Sequence, residues 1–328
     1  MKNLLFLRNI VSVILSWIPL KAFYPVRNAY FNTRKNGGFT HCILRSLIAV
    51  LRYRPIHNEF EKFELADMPG IYIYNIDSKI VRLLYWYGSE GYEGKETLLY
   101  QIFCSKATSI LELGGNIGYY SILGASANKQ ARYRVLEPHP ISNKILNKNK
   151  EFNHLDNLEI IQKAVVGVKT SEQAELNIQI EDTDIAPSGA YLKLQGAEID
   201  RTKKETFLVD LVEAKELIPG VDLIKIDIEG LEQEVLNSIL DYLKEKKPFI
   251  FLEVRNKAVL LKKYIADVLL TEVDYDLFSI SHDRLIKVPK EEIANMNFLK
   301  TYGNRDVILI NKQLWEKSEI IIDKNMLG

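Results

Sequence analysis

The sequence predicts an α/β fold: a mostly parallel sheet with helices on both faces, preceded by an N-terminal helical extension. Three observations predict it. From residue 109 onward, short apolar runs alternate with segments of helical spacing, and repeated strand–helix–strand units form parallel sheets covered on both sides. The first such run ends in a glycine turn, Gly114-Gly115-Asn116-Ile117-Gly118. The first 58 residues differ in character, with no Asp or Glu among them.

The chain has 328 residues, 47% hydrophobic and 26% charged. That is ordinary for a globular protein and enough for one large α/β domain plus an extension. We place the extension at residues 1–60, the main domain at 61–315 with its core at 90–312, and a tail at 316–328. Cys42 and Cys104 form no CxxC pair. This argues against a disulfide framework and for a reducing, cytoplasmic compartment. The five histidines, at 41, 57, 139, 154 and 282, have no metal-ligand spacing.

Net charge is zero, yet Lys2, Arg8, Lys21, Arg27, Arg34, Lys35, Arg45, Arg52 and Arg54 all fall in the acid-free segment, leaving a net −9 on the rest. Such asymmetry points to contact with something anionic. The apolar stretch Ile10–Leu20 is too short to span a bilayer, and no small-x-small cleavage site follows it. Helical spacing puts Leu4, Leu7, Val11, Ile14, Leu15 and Ile18 on one face, with Trp17 near the end. A second amphipathic segment, Cys42–Arg54, aligns Ile43, Leu47, Val50 and Leu51. Two readings fit: packing on the main domain or on a second copy, and peripheral contact with the inner face of a membrane. Nucleic acid fits poorly, because the basic residues are interleaved with Leu and Ile rather than with aromatics for base stacking.

Further elements follow in order. Strands are expected at 71–76 and 79–87, a helix at 94–105, and a buried strand at 109–113 leading into a helix at 117–127. Residues 132–136 form the next strand, with a helix to about 153. Residues 158–166 form a third strand, and 170–210 a run of short strands and loops. Val221–Asp227 is a strong strand, 230–245 a helix, and 249–254 a strand with a helix to about 269. Later strands are expected at 274–280 and 304–311. In such sheets ligands bind beyond the carboxyl ends of the strands.

The chemistry-bearing residues lie at those ends. A dinucleotide fingerprint needs GxGxxG, but its positions here would be Gly114, Asn116 and Tyr119, so it fails. The pattern is instead Glu112-x-Gly114-x-x-x-Gly118. An acid before the loop suits a ligand with an ammonium group and suits a pyrophosphate poorly. Glu137, 23 residues after Gly114, ends the next strand and can accept hydrogen bonds from ribose hydroxyls. Taken singly, these are a tight turn and a surface acid; the register between them is what points to a site.

Four stretches resemble the FkbM-type methyltransferases of the class I S-adenosylmethionine-dependent enzymes. They are IleLeuGluLeuGlyGlyAsnIleGlyTyrTyrSer, ValLeuGluProHisPro, the AlaValValGly at 164–167, and LeuIleLysIleAspIleGluGlyLeuGluGlnGluValLeu. The last is the most specific, and the first 60 residues lie outside the resemblance. It implies a Rossmann-like class I sheet, mostly parallel and seven-stranded, with S-adenosyl-L-methionine as cofactor. By that resemblance Glu112, Gly114, Asn116 and Gly118 line the methionine part, Glu137 holds the ribose, and Lys163 and Ala164 lie near the adenine. Asp227 faces the transferable methyl, and Tyr92-Glu93 matches a pair lying over the cofactor site. The family usually has Asp at the place of Glu112 and Ala at that of Gly115.

Methyl transfer to a hydroxyl is an in-line displacement at an already activated sulfonium, so the protein mainly orients the pair and removes a proton. A partly buried carboxylate does both. Asp227 and Glu229 flank one strand end, Glu253 ends the next, and Lys225 shares a face with Asp227 by the two-residue period. These four are the candidate catalytic group. Other roles stay open: Glu229 as a helix-start acid, Glu253 as a structural partner of Arg255 or Lys225, and the cluster as an oxygen cage for a divalent ion. Nothing beyond the acids supports an ion, so no metal is assigned. His282, in a late loop, is either an acceptor-binding group or a solvated side chain.

The resemblance suggests O-methylation of a sugar hydroxyl in polysaccharide biosynthesis, on a small-molecule or glycan acceptor. The alternatives are an NAD-dependent oxidoreductase on a similar sheet, disfavoured by the failed GxGxxG, and a non-catalytic scaffold that keeps the fold.

Overall fold

Short runs rich in Ile, Leu and Val become the central strands in the computed structural model, which describes residues 11–34, 37–179, 185, 190–193, 203–281 and 284–311. The N-terminal half of the first amphipathic face, residues 312–328 and His282 lie outside the described residues. The chain divides into two units, Met1–Gly94 and Lys95–Gly328.

In the first unit, helices Tyr24–Arg34 and Gly38–Leu51 precede an antiparallel hairpin of β1 (Lys62–Glu64) and β2 (Tyr72–Tyr74). Arg34 ties the first helix to Asp67 and Glu90, each at 2.6 Å. Arg27 donates to the Tyr85 carbonyl at 2.8 Å and lies over the Tyr85 ring. These contacts explain why the unit runs past residue 60 to Gly94. Residues 79–87, expected as a strand, form a helix. Ser78 caps it by accepting from the Ile80 N–H, and Ile80, Val81, Leu84 and Tyr85 are buried at helical spacing. Its β-branched and aromatic residues favour a strand, and burial of one helical face outweighs that preference.

The second unit is built on an eight-stranded sheet. Its strands are β3 (Ser109–Leu113), β4 (Arg132–Leu136), β5 (Leu158–Ile161), β10 (Leu223–Ile226), β11 (Phe249–Glu253), β12 (Tyr275–Ser281), β13 (Arg284–Lys287) and β14 (Asp306–Asn311). They lie in the order β13-β12-β14-β11-β10-β3-β4-β5. The five from β11 to β5 are parallel, and the pairs β11–β14, β14–β12 and β12–β13 are antiparallel, so β14 and β13 run against the rest. This is the Rossmann-like arrangement that the sequence predicts. It has eight strands rather than the expected seven, because β13 folds straight back on β12 as a hairpin where the sequence suggested a loop.

Helices cover both faces. Ile224, Ile226, Ile250 and Leu252 bury one face with Val235 and Leu236 of helix Glu232–Ser238. On the other, Phe103 packs edge-on against Phe249 and Phe251, and Tyr100 against Phe251. The expected 158–166 strand is two: β5 in the main sheet and β6 (Ala164–Val166) in a second sheet. That sheet, ordered β6-β9-β7-β8, adds β7 (Gln173–Gln179), β8 (Tyr191–Lys193) and β9 (Lys203–Glu213). The expected 230–245 helix likewise breaks at Ile239, giving Glu232–Ser238 and Leu240–Lys246. Among the described residues, no helix is long and apolar enough to cross a membrane.

Candidate active site

Strand order reverses between β3 and β10. Crossovers from β3 run one way to β4 and β5, while β10 and β11 lie on the other side. A crevice forms at such a switch point. The in-register pairs Glu112↔Lys225 and Leu113↔Ile226 bring the glycine turn after β3 beside Asp227.

The turn is tightly specified. Gly114, Asn116 and Gly118 have φ of 90°, 47° and 83°, a region that glycine adopts freely and L side chains resist. The Gly114 and Gly115 N–H groups both donate to the Leu136 carbonyl at 3.0 Å. A Cβ on Gly114 would collide with the Asp227 carbonyl oxygen, and one on Gly115 with the Val135 side chain. We expect Gly114→Ala to cost about 3 kcal/mol, from a backbone collision plus left-handed strain. Urea unfolding measures this; an unchanged midpoint would mean the turn is not built as described.

Glu137, at the end of β4, holds the turn from the side. Its carboxylate accepts from the Asn116 N–H at 2.6 Å and the His139 N–H at 2.8 Å. Burial pushes its pKa up to about 7 despite those hydrogen bonds. Asn116 carries a buried Oδ1 with no hydrogen-bond partner, so the loop holds an acceptor awaiting a donor. Glu112 is almost wholly buried. It accepts from Ser121 Oγ at 2.5 Å and Tyr133 Oη at 2.7 Å, and Tyr133 meets Tyr100 at 2.7 Å. Burial raises its pKa, with Lys225, Ser121 and Tyr133 opposing.

The candidate catalytic group comes together at the ends of β10 and β11. Carboxylate oxygens of Asp227, Glu229 and Glu253 lie within 4.8 Å of one another. Lys225, almost buried, reaches Asp227 at 3.6 Å and lies 4.4 Å from the Tyr120 ring centre. Glu229 has φ of 59° and pairs with Arg255. Glu253 meets Arg255 at 3.2 Å and Arg305 at 3.4 Å. Burial, with help from the Asp227 charge, pushes Glu253 up to about 7 against the pull of Arg305. Arg305 escaped sequence reasoning. It precedes β14, whose antiparallel register sets Asp306 opposite Glu253, and only that long-range pairing shows the contact.

Of the other candidates, Ala164 is buried at the start of β6 and Lys163 is exposed beside it. The Lys163 N–H donates to Ile161, which also accepts from the Glu137 N–H. Glu93, with φ of 48°, lies next to the last residue of the first unit.

A sheet of this order, with a glycine turn after its first strand and acids at the next strand ends, defines a class I methyltransferase. The family described as Methyltransferase FkbM domain matches residues 112–276, half of the chain. The chain belongs to that family and is an S-adenosylmethionine-dependent methyltransferase. Comparison with curated proteins gives no match. Among solved structures, the chain is similar to an FkbM methyltransferase from Methylobacillus flagellatus at 14% identity, over 82% of this chain and 60% of that one, with TM-score 0.38. It is similar to a precorrin-6y C5,15-methyltransferase from Geobacter metallireducens at 12% identity, over 66% and 86%, with TM-score 0.36. An O-methyltransferase from Bacillus cereus in complex with SAH is similar at 15% identity, over 67% and 80%, with TM-score 0.34.

The residues present suit the cofactor. The turn at Gly114 leaves no room for a side chain, Asn116 offers a buried acceptor, and Glu137 offers a carboxylate at the neighbouring strand end.

Proposed function

We infer that this methyltransferase acts on a sugar hydroxyl of a glycan or glycolipid, an O-methylation in polysaccharide biosynthesis. One observation carries the reading: three carboxylates, one of them with a raised pKa, converge beside the glycine turn. A hydroxyl acceptor needs a base, and this cluster supplies one.

Gly114, Asn116 and Gly118 would hold the methionine part, with Glu112 acting from below through Ser121 and Tyr133. Glu137 would hold the ribose, and Lys163 and Ala164 would flank the adenine. S-adenosylmethionine supplies an activated methyl on a sulfonium. Asp227 faces the acceptor oxygen and receives its proton, while Lys225 keeps that carboxylate oriented. Glu229 and Glu253, held by Arg255, fix a second hydroxyl of the sugar. The basic N-terminal segment suits a peripheral place on the inner face of a membrane, where lipid-linked glycans are built.

Glu253 gives this reading a pH signature. Its ionised form is the stronger acceptor for a sugar hydroxyl, and burial holds its pKa at about 7. At saturating S-adenosylmethionine, turnover should therefore rise with pH through about 7 and level off above it. The Glu253→Gln variant should lose that rise. Initial rates between mildly acidic and mildly basic buffers test this with a monosaccharide panel; a flat profile for the unmodified enzyme counts against it.

A further inference from the structure

Helix Gly38–Leu51 has two apolar stripes, and only one is used. Ile48 and Leu51 are buried in the first unit. Phe39, Ile43, Leu47 and Val50, spaced by four, four and three residues, form a second stripe that is open to solvent, Phe39 at 82%. Apolar stripes at this spacing ordinarily face a core. Upstream, Val13 and Ile14 are exposed as well, and Trp17 is 84% exposed.

The charge pattern identifies what covers this face. Residues 1–58 contain no acid. Three of their arginines are spent within the unit: Arg27 on Tyr85, Arg34 on Asp67 and Glu90, and Arg54 on Glu59 and the Ile18 carbonyl. Lys21 and Arg45 stay exposed, Arg45 on the polar side of the striped helix. A second copy docking through the same acid-free segment would bring two positively charged segments together. A surface of lipid phosphates and acyl chains meets both the cations and the stripe.

We propose that this stripe is a membrane anchor. The helix Gly38–Leu51 lies in the headgroup plane of an anionic bilayer with Phe39, Ile43, Leu47 and Val50 among the upper acyl carbons. Trp17 sits at the interface, and Lys21 and Arg45 contact lipid phosphates. The anchor gives structural detail to the membrane placement in the proposed function, and it stands or falls separately from the chemistry.

Cys42 is exposed on this helix and Cys104 is buried, so a thiol-reactive, environment-sensitive dye will label Cys42 in the full chain. Labelled protein is mixed with phosphatidylglycerol-containing vesicles and with phosphatidylcholine vesicles. The expected result is a blue shift quenched by bromine on the acyl chains, with binding about tenfold tighter on the anionic vesicles. An Ile43→Asp, Leu47→Asp double variant should bind roughly tenfold more weakly or worse, while keeping its melting temperature and its affinity for S-adenosylhomocysteine. A dye that ignores vesicles overturns the anchor. So does a shift that grows with protein concentration in the absence of lipid, which would mean a second copy covers the face. Loss of S-adenosylhomocysteine binding in the unmodified chain would count against the methyltransferase reading and leave the anchor untouched.

Discussion

Asp227→Ala is expected to lower turnover about 10³-fold, within the range attributed to a positioned proton acceptor. Affinity for S-adenosylhomocysteine should change little. The backbone explains the separation. The Asp227 N–H donates to the Leu113 carbonyl at 3.0 Å and its carbonyl packs on Gly114, and truncating the side chain leaves both in place. The carboxylate itself is 38% exposed at the open end of β10, with Lys225 at 3.6 Å. Asp227→Asn keeps the shape and removes the basicity, so it should lose nearly as much. Single-turnover methyl transfer alongside calorimetric titration reads the two effects apart. Activity surviving in the asparagine variant would move the base to Glu253.

Glu137→Ala should weaken S-adenosylhomocysteine binding by about 100-fold. In the proposed role, two charge-assisted hydrogen bonds to the ribose would be lost, each worth about 1.5–3 kcal/mol, and part of that is recovered as the unliganded loop relaxes. The variant also leaves the Asn116 and His139 N–H groups without their acceptor. Glu137→Gln keeps one acceptor oxygen and should lose less. Protonation acts in the same direction. With a pKa of about 7, Glu137 is neutral in mildly acidic solution, so cofactor affinity should fall as pH drops through 7. For folding alone the sign is opposite. A carboxyl raised above its ordinary 4.5 contributes stability below that value, and the contribution is lost as pH rises through about 7. Binding and stability titrations should therefore slope in opposite directions across that window. Parallel slopes would contradict the assignment of Glu137.

Much of this site was legible in the sequence because strand ends and glycine turns are local signals. Strands β3 and β4 fall on the expected residues, and Asp227, Glu229 and Glu253 converge as their strand positions imply. Signals that depend on distant partners were not legible. The stretch 79–87 has a strand-like composition but becomes a helix because Ser78 caps it and one face is buried. The 158–166 run looks continuous, yet its halves pair with different sheets, β5 with β4 and β6 with β9. Arg305 reaches Glu253 only through an antiparallel register set some fifty residues away. Glu112 looked like a ligand-facing acid. Its buried partners, Ser121 and Tyr133, come from a helix and a neighbouring strand whose packing no spacing rule reveals.

We propose that the strand ends of this sheet form the S-adenosylmethionine site. Calorimetric titration of the full chain with S-adenosylhomocysteine, and separately with NAD, tests it most directly. Micromolar binding of S-adenosylhomocysteine with no binding of NAD is the predicted result. Binding of NAD without S-adenosylhomocysteine would contradict it and make the chain an oxidoreductase on a related sheet.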